Sequence, residues 1–557
     1  MYQPDLSPVA DSLGVSSLVA ALPLLTLFVL LGGLRWKAHW AGLVSLGVAL
    51  VVAVTAYGMP PGLALLAGTE GAAFGLFPIM WIVLAALWVY RLTVASGRFE
   101  DLRRAFGLVS DDPRVQALII AFCFGALLEA LAGFGAPVAI TGVMLTALGF
   151  TPVRAAVTVL VANTAPVAFG AIGTPIITAG SLTGISYEDI GAVVGRQTPL
   201  LALFVPLLLV ALVDGVRGIR QTWPVALVCG AAFAVAQFVS ANYVSVELTD
   251  IIASLAGLAA VVLFLRVWQP REGERVRAAL REAQAEAPGE NSGAAPSEPP
   301  AAPVGPARSG RSSVLMAFVP YLIIIAVFAV AKLWTPVKEF LEGTDVEVHW
   351  PGLYGQVLTA EGEKASSAVY AFPWLSTPGS LLLICGLLVA VVYRVRPGAA
   401  VREFGGTVVQ LRWALLTVAS VLALAYVMNL SGQTITIGTW IAGTGTAFAF
   451  LSPILGWLGT AVTGSDTSAN ALFATLQQAA AGKAGLDPTL MVAANTSGGV
   501  VGKMVSPQNL TIAATAVGML GREAELFRAV LRWSALLLLA VCVLVFLQAH
   551  ALAWMLP

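Results

Sequence analysis

Charge is scarce in this sequence. Only 11% of its 557 residues are Asp, Glu, Lys or Arg, against roughly 25% in an average soluble protein. The 30 basic and 30 acidic residues cancel, which removes any argument for a nucleic-acid or acidic partner. Histidine is scarcer still: His39, His349 and His550 are the whole complement, all near segment ends, so neither a histidine proton relay nor a histidine metal site is indicated. Cys123, Cys229, Cys385 and Cys542 lie far apart inside apolar runs, a pattern that suits packing rather than metal ligation. There is no Ser/His/Asp grouping and no HExxH motif. The GxG and GxxxxG runs lack the Lys-Ser/Thr ending and strand–helix context of a phosphate loop. The opening MYQPDLSPVADSLGV lacks the positive n-region of a signal peptide.

What is there is apolar. Hydrophobic residues make up 58% of the chain and the mean hydropathy is +0.87, so an integral membrane protein is expected. Candidate spans lie at 14–34 (a retained first helix ending in Arg35-Trp36-Lys37), 40–57, 75–95, 198–214, 221–241, 248–267, 314–334, 377–394, 412–430 and 531–552. Residues 268–313 change character, from the charged REGERVRAALREAQAE into a Pro/Ala/Ser-rich tract that cannot bury enough apolar surface to fold. A disordered cytoplasmic loop, after a short exposed helix, is expected there. Residues 335–376 read as an external polar loop bearing Glu339, Glu342, Asp345 and Glu347.

The stretch 129–182 is apolar yet repeatedly interrupted by Gly, Pro, Asn and Thr, and its pattern returns at 460–518. Shifted by 332, Ala162-Asn163-Thr164 falls on Ala494-Asn495-Thr496, Gly170 on Gly502 and Pro175 on Pro507. Gly133-Phe134-Gly135 then meets Ser465-Asp466-Thr467. Irregular backbone at membrane depth is tolerated only where protein or a wet cavity surrounds it. Two such copies therefore predict a secondary transporter built from an internal repeat, with its centre between them. Basic residues gather at 35–37, 98–114, 217–220, 266–281, 394–412 and 522–532. Placing all of them in the cytoplasm is self-consistent with the N-terminus outside. The first copy then begins inside, after Arg114, and the second begins outside, so the copies are inverted, as alternating access requires.

A charge at mid-membrane costs roughly 2.5–3.5 kcal/mol, so Glu129, Asp466 and Lys503, all within the repeats, need reasons. On the functional reading Asp466 or Glu129 carries a coupling proton and Lys503 attracts an anionic substrate. The bland alternatives are a structural Asp466–Lys503 pair, or helix capping by Asp466 and Ser465. Asn163-Thr164 and Asn495-Thr496 fit broken-helix ends, where they could cap backbone or bind a carboxylate. The glycines of Ser497-Gly498-Gly499-Val500-Val501-Gly502 suggest close ligand approach. Pro137, Pro166, Pro175 and Pro507 enforce the breaks, and Arg91 and Arg196 can snorkel from span ends.

At GFGAPVAITGVML, VANTAPVAFGAIGTPI, TGSDTSANALFATLQ and AANTSGGVVGKMVSPQNLTIAATAVG the chain resembles the bacterial L-lactate permease family. FCFGALLEALAGFGAP, Arg266-Val267-Trp268-Gln269-Pro270 and the terminal LQAHALAWMLP extend the likeness over nearly the whole chain. The resemblance implies a carrier of the bacterial cytoplasmic (inner) membrane that takes up lactate, and in some members glycolate, with protons. It also suggests kinship with inverted-repeat anion transporters that set paired Asn-Thr motifs beside the substrate. Carried over, that places Asn163, Thr164, Asn495 and Thr496 in the binding site, with Thr467 and Ser468 near. The reading of the residues themselves adds Lys503 and Gly135 to the substrate site and Asp466 and Glu129 as proton-coupling residues. Similar tips hold Na⁺ in sodium-coupled relatives.

The expectation is thus an all-α polytopic membrane protein of about 12–16 transmembrane segments with two inverted repeats containing broken or re-entrant helices. Its parts are N-terminal helices at 1–96, the first repeat at 115–214, helices at 215–267, the loop at 268–313, helices at 314–430, the second repeat at 437–520 and a C-terminal helix at 521–557. The function is L-lactate/H⁺ symport, extended to D-lactate and glycolate. The runner-up is a Na⁺-coupled carboxylate symporter. No cofactor, metal or enzymatic role is called for; the partners are substrate and bilayer, with a homodimer the open option for assembly.

Overall fold

The computed structural model describes residues 1–101, 109–133, 135–270, 273–286, 311–359, 362, 364, 365 and 368–557. Arg103, Arg104, Phe134 and the Pro/Ala-rich tract at 287–310 therefore lie outside the described residues. The chain is 79% helix and 2% strand, so helices and their breaks place every side chain considered below. In order they are α1 (Leu13–Gly33), α2 (Ala38–Thr55), α3 (Pro61–Ala95), α4 (Pro113–Ala132), α5 (Ala136–Ala147), α6 (Pro152–Ala162), α7 (Gly170–Thr183), α8 (Tyr187–Tyr243), α9 (Thr249–Phe264), α10 (Gly273–Glu286), α11 (Arg311–Leu333) and α12 (Thr335–Glu342). After a two-stranded sheet come α13 (Pro378–Val392), α14 (Pro397–Leu430), α15 (Gln433–Ala442), α16 (Phe448–Thr463), α17 (Asp466–Ala484), α18 (Pro488–Gly502), α19 (Pro507–Ala516) and α20 (Glu523–Gln548).

Local sequence explains where these helices start. Proline opens α3, α4, α6, α13, α14, α18 and α19, where its missing N–H costs nothing and its φ is already helical. Asp112 caps the Arg114 amide, Asp487 caps Leu490, Ser465 caps Ser468 and Ser506 caps Asn509; each such cap is worth about 1 kcal/mol.

Among the described residues nine helices are long and apolar enough to cross a membrane, and the α6–α7 pair, bent by 62°, makes a tenth if taken as one span. The span read from 75 in fact begins at Pro61. α8 breaks at Asp214–Gly215 into two limbs, each longer than the ~20 residues a crossing needs. Arg196 Nε donates to Asn242 Oδ1 at 2.9 Å and ties the limbs together. At the break, Arg114 donates through Nη1 to Asp214 (3.1 Å) and Gln221 (2.6 Å), and through Nε and Nη2 to Asp112. The short helix expected after 268 is α10; Arg277 pairs with Asp111, and Val276 and Leu280 are buried.

The acidic segment at 335–376 carries secondary structure. It contains α12 and an antiparallel pair, β1 (Val346–His349) with β2 (Val369–Phe372), in the register Val346↔Phe372. Two apolar cores organise the rest. One, built around Phe122, Phe124, Phe169, Phe233 and Phe448, joins both repeats. The other gathers α1, α2 and the start of α3 against α14 through Leu27, Phe74, Leu422 and Tyr426. All four cysteines are free and buried, with Cys123 and Cys229 touching at 3.6 Å. His39 stacks on Trp413 and His349 on Tyr354, which gives both rings packing roles.

Candidate functional site

Lys503 follows the last turn of α18, and Glu129 lies one turn before the end of α4. Lys503 Nζ donates to Glu129 Oε1 at 2.5 Å and to the Gly133 carbonyl at 3.1 Å. Both residues are buried, Glu129 at 2% exposure and Lys503 at 8%. A charge this deep is tolerable only when paired, and here the partner comes from the other repeat. The Asp466–Lys503 pair considered from sequence does not form; Asp466 is within electrostatic reach of Lys503, but its Oδ1 accepts from Thr460 Oγ1 at 3.3 Å and its Oδ2 has no partner.

Beside the ion pair lies a narrow space of about 180 Å³ among Val138, Leu160, Asn163, Thr164, Val167, Val500, Lys503, Met504 and Asn509. It is too finely divided to admit a water-sized sphere. Its walls are mostly apolar, and its polar groups are one ammonium, two amides and one hydroxyl. Thr164 Oγ1 donates to Val161 O at 2.7 Å, leaving the oxygen free to accept. Asn509 Nδ2 donates to Lys503 O and Ser506 Oγ. Asn163 lies beside the Glu129 carboxylate, yet Asn163 Oδ1 and Glu129 Oε2 have no hydrogen-bond partner. Asn163 Oδ1, an unsatisfied acceptor beside a charged lysine, could accept from the hydroxyl of an anionic hydroxy acid whose carboxylate approaches that lysine.

The two Asn-Thr pairs are not equivalent. Asn163 caps the end of α6, because Pro166 three residues on cannot continue a helix. Under the 332 shift the position of Pro166 is Gly498, which is helix-compatible, so α18 runs on to Gly502 and Asn495-Thr496 sit inside it. There they are used up. Asn470 on α17 donates through Nδ2 to Pro175 O (3.0 Å) and Thr496 Oγ1 (2.9 Å), and its Oδ1 accepts from Asn495 Nδ2 (2.9 Å). Gln477 Nε2 donates to Asn495 Oδ1 at 3.1 Å. The second pair therefore builds a cross-repeat clamp instead of a broken-helix tip.

The glycines before Lys503 also act differently from the expectation. Gly498 and Gly499 are helical, and a Cβ on Gly498 would come within 2.0 Å of the Pro453 carbonyl. The run lets α18 close on α16 rather than on a ligand. Gly135, at φ 87°, opens α5 in a conformation that side chains avoid. It does not line the space beside Lys503, and neither do the buried Thr467 and Ser468 at the start of α17.

Sequence reasoning missed several residues. Asn509, Asn470 and Gln477 are polar positions inside apolar helices, which is the signal that marks them in the sequence. Glu70 and Asp250 are fully buried carboxyls whose oxygens have no hydrogen-bond partner. Glu70 lies in α3 ahead of the apolar run that begins at 75, and Asp250 stands at the start of a span, so neither reads from sequence as a mid-membrane charge. Among the described residues no group of three or more His, Cys, Asp or Glu side chains could hold a metal ion.

Comparison with known proteins adds three relatives of full length. A model described as L-lactate permease matches residues 16–552. The glycolate permease GlcA of Escherichia coli (strain K12) is 43% identical over 570 residues, covering 100% of this chain and 99% of the relative. The L-lactate permeases of Bacillus subtilis (strain 168) and E. coli (strain K12) are each 41% identical over 569 residues, covering at least 99% of both partners. Among solved structures, the Alcanivorax borkumensis YdaH transporter aligns at a TM-score of 0.46 and 14% identity over 88% of each chain.

Proposed function

The chain belongs to the L-lactate permease family, and from that premise we propose that it takes up L-lactate, and also D-lactate and glycolate, with protons across the cytoplasmic membrane by alternating access. It is a multi-pass membrane permease; the N-terminus outside, the inverted orientation of the repeats and the coupling ion are part of the proposal.

The observation that carries it is the Glu129–Lys503 pair, whose lysine lines the narrow space. While Glu129 is ionised, Lys503 is neutralised and a substrate carboxylate gains little by approaching it. When a proton from the medium binds the Glu129 carboxylate, the pair loses its negative partner and Lys503 becomes free to attract lactate. One proton on Glu129 thus admits one carboxylate to Lys503, which couples the two without their touching. Asn163, Asn509 and Thr164 offer the hydroxyl and second carboxylate oxygen their hydrogen bonds. Val138, Leu160, Val167, Val500 and Met504 enclose the methyl group. Because the pair joins the repeats, breaking it also loosens one against the other, and substrate release followed by deprotonation restores it.

The test is uptake of labelled L-lactate into proteoliposomes under a proton gradient or a sodium gradient imposed separately. Uptake driven by protons alone supports the symporter. Uptake requiring sodium alone overturns the coupling, and no lactate movement under either gradient overturns the substrate.

A further inference from the structure

Asp250 stands in the first turn of α9, where an aspartate ordinarily accepts hydrogen bonds from the free amides of the helix start. It does not do so. Neither carboxyl oxygen has a hydrogen-bond partner, and the residue is 0% exposed. Three residues earlier, Glu247 is fully engaged with Lys332 (3.2 Å), Tyr187 and Ser245. Asp250 does not belong to that cluster; the charges within its electrostatic reach are Glu129 and Lys503. Gln237, on the second limb of α8, is also beside it, but its Nε2 donates to Ala165 O at 3.1 Å.

Of the elements packed on α9, α4 brings Glu129 and Cys123, the facing limb of α8 brings Cys229 near Gly257, and α7 carries no ionisable side chain. Arg114 of α4 and Arg217 and Arg220 of the limb stand at the limb's other end, by the break at Asp214, about 20 residues of helix from the end that meets Asp250. An ionised carboxylate here would be a buried charge with neither oxygen hydrogen-bonded and with the cation in its reach, Lys503, already bound to Glu129; that is heavily penalised while Glu129 is ionised, whereas the neutral acid is tolerated. A side chain costly in one protonation state and idle in its structural role is a functional candidate.

We propose that Asp250 is a second proton-holding carboxyl of the transport cycle, exchanging its proton with the Glu129 carboxylate. In that step the Asp250 O–H bond breaks and a Glu129 O–H bond forms. One proton moves, no electron pair leaves the two carboxyls, and the negative charge passes from Glu129 to Asp250. Lys503 loses its tight partner but keeps a carboxylate within electrostatic reach, so the site opens to substrate without a bare ammonium in the membrane. This rests on the proton-coupled reading above.

The experiment uses the full-length protein in proteoliposomes with labelled L-lactate, comparing accumulation under a proton gradient with exchange against unlabelled L-lactate. Wild-type protein must show both; if it exchanges but never accumulates with protons, the coupling reading itself fails, whatever Asp250 does. Given wild-type coupling, Asp250→Asn is expected to keep exchange and lose proton-driven accumulation. Accumulation at the wild-type level, or loss of exchange and accumulation together in a protein that still folds, overturns the proposal. If Asp250→Asn does not fold, Asp250→Glu is expected to keep exchange and shift the pH dependence of accumulation, and an unshifted profile overturns it.

Discussion

Lys503 and Glu129 meet at 2.5 Å, yet they belong to opposite copies of the repeated unit and neither has an ionisable counterpart. Under the 332 shift Glu129 falls on Ala461 and Lys503 on Ala171. The pair is therefore split between the copies, acid in one and base in the other, and among the described residues this contact has no symmetric twin. A single switchable contact across the repeat interface is enough to make substrate binding and repeat movement interdependent.

Removing one member of that pair leaves the other buried without compensation. Lys503→Met is expected to abolish L-lactate transport and to cost about 3–5 kcal/mol of stability. Glu129→Gln, which imitates the protonated acid, is expected to keep L-lactate exchange, lose accumulation, and exchange as fast at alkaline pH, where the wild type slows, as at acidic pH. The double variant recovers stability without transport. Thermal unfolding in detergent beside the exchange assay checks all three, and a Glu129→Gln protein that still accumulates lactate with protons would remove Glu129 from the coupling.

The two asparagines of the repeated motif should respond differently. Asn163 lines the narrow space with an unsatisfied oxygen, so Asn163→Ala removes the acceptor for the substrate hydroxyl, a neutral hydrogen bond worth about 0.5–1.5 kcal/mol. That corresponds to a KM raised about 2- to 10-fold. Asn495 is 0% exposed and held by Asn470 and Gln477. Asn495→Ala is expected to lower stability by about 1–3 kcal/mol with little change in the KM of the folded fraction. Uptake measured against L-lactate concentration separates the two, and equal KM effects would contradict the asymmetry.

Close packing of α16 on α18 makes a third expectation. A Cβ on Gly456 would lie 1.9 Å from the Asn495 carbonyl, whereas one on Gly405 of α14 meets nothing within 4 Å. Gly456→Ala should lose about 1–3 kcal/mol or more through overpacking, and Gly405→Ala should be neutral or gain up to about 1 kcal/mol from helix propensity. Paired melting curves decide it; indistinguishable midpoints would mean that the α16–α18 contact is not the tight one described.

Much of this was legible in the sequence for physical reasons. Apolar runs ending in Arg and Lys mark spans because the bilayer penalises charge, and Pro166 and Pro507 mark breaks because proline lacks an N–H. What could not be read was which polar side chain meets which. The motif Asn-Thr recurs at 163 and 495, but only the proline beside the first makes it a helix end. The glycines at 498 and 499 read equally well as ligand approach or helix crossing until Pro453 is seen against them. Asp250 and Glu70 escaped because burial and the lack of a partner are properties of the packed chain, not of its neighbours in sequence.

The Glu247–Lys332 pair gives an acid-stability expectation away from the transport site. Burial alone would raise the Glu247 carboxyl, but Lys332 at 3.2 Å and the Ser245 hydroxyl at 2.6 Å outweigh it and hold the group below its ordinary range. A carboxyl lowered by folding contributes stability that is present above its unfolded value, near pH 4.3 for glutamate, and is lost as pH falls through the folded value. Melting temperature in detergent should therefore drop below about pH 4.3 in the wild type. Lys332→Met removes the cation and leaves burial to dominate, so Glu247 becomes a penalty at neutral pH of about 3–5 kcal/mol that acidification relieves. The variant's melting temperature, relative to wild type, should rise toward acid. Parallel pH profiles for the two proteins would show that Lys332 does not govern Glu247, and that the cluster is held by its hydrogen bonds alone.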